Sequence, residues 1–108
     1  SVHLAIMNGS HKISLAWSTE EKRVVGFANA ISDGVLSAFI PLLEVVPEHQ
    51  GHGIGKRLIA HLSEQLDELY MVDVVCDPEL EAFYKPLGFV PLLGMAHRNY
   101  EHQSGPEL

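Results

Sequence analysis

Between Val35 and Leu69 an apolar run, Val35–Val46, gives way to glycine at alternate positions, Gly51, Gly53 and Gly55. These open a stretch in which Ile54, Leu58, Ile59, Leu62, Leu66 and Leu69 recur at helical spacing. A strand, a tight loop and a helix with one apolar face must therefore follow one another, and such a helix needs a sheet to cover. The loop also carries a chemical implication. Alternate glycines leave backbone amides bare of side chains at a helix N-terminus, where unpaired N–H groups and the helix dipole favour an anion. A phosphate or pyrophosphate is the expected guest, with Lys56 and Arg57 just beyond it. Two common phosphate loops do not fit. The dinucleotide fingerprint G-x-G-x-x-G would require glycine where Lys56 stands, and a Walker loop would require glycine in place of Gln50 and a hydroxyl in place of Arg57.

The flanking sequence sets this unit in an α/β domain of the α+β type. From His11 to Trp17 the apolar positions Ile13, Leu15 and Trp17 alternate, the period of a half-buried strand, and the polar stretch Ser18–Lys22 turns the chain. Arg23–Ile31 reads as the partner strand. Ser32-Asp33-Gly34 is a second tight turn into Val35–Val46, so three antiparallel strands in a meander are predicted. The third is expected to be central and buried on both faces, with a local irregularity at Pro41, which cannot donate to a ladder. After the helix, Tyr70–Cys76 is a β-branched strand. Asp77-Pro78-Glu79 signals a helix start, with Asp77 as N-cap and Pro78 in the first turn, running to Tyr84 and stopping at Pro86 and Gly88. Phe89–Leu93 and Met95–Tyr100 predict one or two final strands. Residues 1–9 fit either a short strand or the tail of another element, and the predicted order is β-β-β-α-β-α-β.

A chain of 108 residues is read as one domain spanning 1–108, able to bury roughly 60–70% of its unfolded surface. The net charge of −7 argues against a nucleic-acid partner, which would need clustered Lys and Arg. An anionic ligand remains compatible with that charge because backbone amides would hold it. Cys76 is the only cysteine, which excludes an intrachain disulfide and a cysteine-based zinc site and suits a reducing cytoplasm. No apolar run nears the roughly 20 residues of a membrane span, and the N-terminus lacks the basic start of a signal peptide, so no membrane partner is expected. His49 and His52 stand three apart with no further ligand in register, so no metal is expected either.

Two segments carry a family resemblance. Val46–Leu58 resembles motif A of the GNAT superfamily of N-acetyltransferases, whose acetyl-CoA loop reads Gln/Arg-x-x-Gly-x-Gly/Ala, here Gln50, Gly53 and Gly55. Phe83–Phe89, with Tyr84, Leu87, Gly88 and Phe89 in place, is similar to the family's motif B. The resemblance covers roughly residues 11–100. It implies a GNAT-like fold: a mixed, mainly antiparallel central sheet with a long helix after the glycine-rich loop and a short second helix. It also implies acetyl-CoA as cosubstrate and transfer of acetyl to a primary amine of a small molecule or peptide, by direct attack in a ternary complex. The implied cofactor-binding set is Val45, Val46, Gln50, Gly51, His52, Gly53, Ile54, Gly55, Lys56 and Phe83. In that scheme amides of residues 50–56 cradle the pyrophosphate, and Glu44-Val45-Val46 splays from its neighbour strand at a bulge to pair with pantetheine. An amide of Val45 or Val46 then stabilises the developing oxyanion. Tyr84 is the implied acid for the departing thiolate, a phenol with reference pKa near 10 being a suitable donor.

Glu44, a charge set in an apolar run, is the candidate general base. Asp77 stands where many relatives carry Asn. Relatives usually begin with a strand and one or two helices that wall the acceptor site, whereas this chain starts at about the second strand. Residues 1–9 or a second subunit are expected to supply the wall, or the acceptor site is wide. A homodimer would cover exposed sheet edge and apolar surface. The alternative function is a CoA-binding module, regulatory or degenerate, without acceptor turnover.

Overall fold

The computed structural model describes residues 1–107. Strands β1 (Lys12–Ser18), β2 (Arg23–Ser32) and β3 (Ser37–Val45) form the expected antiparallel meander, and β4 (Met71–Val74) joins β3 in parallel, giving a sheet ordered β1-β2-β3-β4. Helix α2 (Ile54–Gln65) connects β3 to β4 and lies on one face of this sheet. Its apolar stripe works as the spacing requires: Leu58, Ile59 and Leu62, with Leu66 just past its end, are all buried against Ala28, Ala30, Ala38 and Ile40. Small residues on the strands let the helix come close. A Cβ on Gly26 would stand 3.1 Å from both Leu58 Cδ1 and the Glu44 carbonyl, so glycine there is a packing requirement.

Pro41 produces the expected irregularity, and its position has consequences. Asn29 pairs with Leu42 and Ile31 with Phe39, so Ile40 and Pro41 together oppose Ala30 alone. This bulge inserts one residue into β3 and reverses the alternation of faces beyond it. Before the bulge Ala38 and Ile40 face α2. After it Leu43 and Val45 do, reaching Gly55 and Gly26. Leu42 and Glu44 are thereby turned to the opposite face, where Glu44 pairs in register with Phe27. The bulge had been expected at Glu44–Val46; it sits earlier because proline removes the ladder donor where it stands. Nor is β3 buried on both faces: Phe39 is 38% exposed, because only α2 covers the sheet broadly.

Residues 1–9 do not form a strand. They form helix α1 (Val2–Gly9), capped by Ser1, whose Oγ accepts from the Leu4 amide at 3.2 Å. Its far end is tied to the sheet through Ser10, whose Oγ donates to the Ile6 carbonyl and accepts from Asn29 Nδ2. The second helix is shorter than expected. A 3-10 turn, Pro78–Leu80, precedes α3 (Glu81–Tyr84), and another, Lys85–Leu87, ends at Gly88 with φ +96°. Asp77 sits at the start, but its side chain makes no capping hydrogen bond, the first turn being 3-10 rather than α. Among the described residues the final strands are absent. Among the described residues, 89–99 pair with no strand, since nothing lies beside them to complete a ladder.

Candidate functional site

The loop entering α2 begins with a 3-10 turn, Pro47–His49, after which Gln50 is extended and its Nε2 donates to the Val45 carbonyl at 2.9 Å. That bond ties the loop to the end of β3. Gly51 and Gly53 both take φ +81°, a left-handed conformation that side-chain-bearing residues avoid. A Cβ at either would meet no atom within 4 Å, so conformation rather than crowding demands glycine there. Gly55 is different: a Cβ would lie 3.5 Å from Phe83 Cζ and 3.8 Å from Leu43 Cδ2, which places α2, α3 and β3 edge to edge. Arg57 is the first residue of the helix to bond back, its N–H donating to the Gly53 carbonyl. Among the described residues the N–H groups of Gly51 to Lys56 find no protein acceptor. Six consecutive amides at a helix start are left for an anion.

A gap opens beside this loop. β3 and β4 pair only from Ser37–Met71 to Ile40–Val74, and beyond Ile40 strand β3 continues against β2 alone. On the β4 side the Val45 carbonyl is taken by Gln50 Nε2, and among the described residues the rest of the backbone of residues 41–45 has no strand partner there. The Val46 amide does not face that gap, because it donates to the Val25 carbonyl at 2.9 Å. In an antiparallel ladder successive residues point to opposite sides, so the free amide is that of Val45. Of the two amides expected to hold an oxyanion, Val45 is available and Val46 is not.

Tyr84 lies at the α2 side of the gap, only 6% exposed, with its ring edge-on to Phe83 at 4.9 Å and to Phe89 at 5.4 Å. Burial raises its pKa above the ordinary tyrosine value, and the neighbouring Cys76 adds to the shift. Glu44 is on the other face. Its Oε2 meets His3 Nε2 at 3.0 Å, and the His3 ring stands edge-on to Phe27 at 5.5 Å. The structure thus gathers Tyr84, Phe83 and Gly55 on one face, while Glu44 lies across the sheet with α1. His3 carried no recognisable spacing; only the fold brings it to Glu44. His52 Nδ1 lies 3.3 Å from the His49 carbonyl, within the loop. His49 turns away from it, pairing with Glu21 of the β1–β2 turn. That contact holds the carboxyl of Glu21 below its usual range.

A second histidine was also silent in the sequence. His61 Nδ1 is 2.7 Å from Ser14 Oγ, at a cavity of about 630 Å³ walled by β1 and α2 rather than by β3 and β4. Among the described residues no three His, Cys, Asp or Glu side chains gather as a metal site requires, and no helix is long and apolar enough to cross a membrane.

Residues 12–91 match the family described as the acetyltransferase (GNAT) domain. The chain belongs to the GNAT family of acetyltransferases. It is 36% identical over 92 residues to the uncharacterized N-acetyltransferase ycf52 of the alga Gracilaria tenuistipitata var. liui, a match covering 82% of this chain and 50% of that protein. It is 38% identical over 84 residues to the chloroplastic GCN5-related N-acetyltransferase 1 of Arabidopsis thaliana, covering 74% of this chain and 43% of the relative. A crystal structure of a protein assigned as an acetyltransferase from Deinococcus radiodurans R1 superposes with a TM-score of 0.93 at 36% identity, over 99% of this chain and 74% of that one. The chain spans about half the length of the curated relatives it matches.

Proposed function

We propose that this chain transfers acetyl from acetyl-CoA to a primary amine of a small molecule or peptide, by direct attack within a ternary complex. The observation that carries the reading is the row of unpaired amides from Gly51 to Lys56 beside the gap where β3 leaves β4. A pyrophosphate fits there because the donors are backbone groups at a helix N-terminus, in a protein whose side chains sum to −7. Val45, Val46, Gln50, Gly51, His52, Gly53, Ile54, Gly55, Lys56 and Phe83 would line the cofactor. Val46 would do so by its side chain, its amide being engaged with β2 and its carbonyl accepting from the His49 amide.

Acetyl-CoA supplies the activated acyl group when bound; the rest of the chemistry belongs to the chain. The Val45 N–H is a donor for charge developing on an acyl oxygen. Tyr84, kept protonated by burial, is the acid for the leaving sulfur. Glu44 is the base that takes a proton from the amine, and helix α1 supplies part of the acceptor wall. The lone thiol of Cys76 suits a reducing compartment such as the cytoplasm.

Calorimetric titration with acetyl-CoA, followed by assay of CoA release over a panel of amines, tests the reading. Saturable binding and amine-dependent release are expected. Absence of binding overturns the proposal, and binding without turnover of any amine favours a CoA-binding module instead.

A further inference from the structure

Three elements meet at the carboxylate of Glu44. The bulge at Pro41 turns this residue to the face that carries α1, where it stands in register with Phe27 of β2. Directly opposed strand residues keep their Cβ atoms about 4.5–5.5 Å apart, so the Glu44 side chain rises beside the Phe27 ring. From α1 the imidazole of His3 reaches both. It stands edge-on to Phe27 at 5.5 Å, with 78° between the ring planes, and its Nε2 lies 3.0 Å from Glu44 Oε2. An ionised carboxylate has no hydrogen to give, so Nε2 carries the hydrogen and donates it to Oε2. Oε1 is left outside this bond.

The helix that presents His3 is fixed in its turn. Ser10 Oγ donates to the Ile6 carbonyl and accepts from Asn29 Nδ2 of β2, so α1 cannot slide along the sheet without breaking polar contacts. Nor does the pair have rivals on its own elements. His3 is the one ionisable side chain of α1 and Glu44 the one of β3, while Arg23 of β2 is engaged with Glu21.

We propose that His3 is the positioning residue of the base: its N–H holds Glu44 Oε2 and selects the carboxylate rotamer in which Oε1 meets the acceptor amine. The inference rests on the reading of Glu44 as the base in acetyl transfer. The amine passes one proton to Oε1 as its electron pair closes on the acyl carbon, and Oε2 keeps its bond to His3 throughout. His3 itself touches neither the amine nor acetyl-CoA. A free glutamate samples several staggered rotamers, and a bond that selects one raises the fraction of molecules in which the base is in reach.

The test is kcat for CoA release at saturating acetyl-CoA and amine. His3→Ala is expected to lower kcat about tenfold, part of the roughly 10²–10⁴-fold that a placed base contributes, with the KM for acetyl-CoA unchanged. Alanine is a better helix former than histidine, so α1 is not weakened by the change, as circular dichroism will show. His3→Gln, whose amide nitrogen reaches as far along the side chain as Nε2, is expected to restore most of the rate. In a Glu44→Gln background His3→Ala should lower kcat no further, because a residue acting through the carboxylate has nothing left to position. Equal losses in both backgrounds would show that His3 only supports α1 and would overturn the proposal, as would an unchanged kcat for His3→Ala or no rescue by glutamine. Amine turnover indifferent to Glu44→Gln would remove the base and the role of His3 together while leaving acetyl transfer standing. A parent chain that turns over no amine would overturn acetyl transfer itself, and this role with it.

Discussion

Tyr84 shows how burial and acidity are joined in one side chain. Its place in the core takes the phenolate form out of water, so the proton is held to higher pH than on a free tyrosine. The sign follows directly. The neutral form persists below the unfolded value near 10, and both the proposed acid function and this residue's share of stability are lost as pH rises through the raised folded value. Replacing Tyr84 by Phe removes the proton donor and keeps the ring stack with Phe83 and Phe89. Turnover should fall by about 10²-fold or more, with acetyl-CoA affinity nearly intact, measured by CoA release and calorimetry. An unchanged rate would remove Tyr84 from the acid role.

At the scale of elements, two turns decide geometry by different means. The glycine-rich loop depends on left-handed backbone at Gly51 and Gly53. Gly53→Ala should cost roughly 1–2 kcal/mol of backbone strain. Gly53→Glu adds bulk and negative charge among the free amides and should abolish acetyl-CoA binding. Comparing the two by calorimetry separates charge from strain; equal affinities would mean that the loop is only a turn. The β2–β3 turn depends instead on Asp33, whose Oδ1 accepts from the amides of Val35, Leu36 and Ser37. The bond from Leu36 leads the three in holding its carboxyl below the usual value. Because the folded pKa is depressed, this stabilisation is present above the unfolded carboxylate pKa and disappears as pH falls through the folded value. Urea titrations of Asp33→Ala should show lower stability than the parent at neutral pH and convergence in acid. A gap that persists in acid would assign the loss to something other than the carboxylate.

At the scale of the molecule, the packing of α2 on four small strand positions is what joins the halves of the site. Ile59 and Leu62 are fully buried between sheet and helix. Leu62→Ala should cost about 2–5 kcal/mol by chemical denaturation, a large part of a total of about 5–15 kcal/mol. Since the same helix presents the free amides at its start, the loop should lose order as the core is loosened. A loss below 1 kcal/mol, of the order of a surface change, would show that the site collapses around the deletion.

The meander, the long helix and the glycine-rich loop were legible from residue spacing, because period, turn chemistry and helix starts are local properties, while the family came from the resemblance of Val46–Leu58 and Phe83–Phe89 to its motifs. The helix at Val2–Gly9 had a local signal in its Ser1 cap that the Asn8-Gly9 turn pattern masked. Other features had no local signal. The bulge fell at Pro41 and set the face of Glu44, an outcome that depends on register against β2. His3 reaches Glu44 across 41 positions, and His61 reaches Ser14 across 47. The apolar segment after Gly88 reads as a strand because its residues favour one. Whether it pairs depends on what lies beside it, since a ladder needs two strands and composition describes only one.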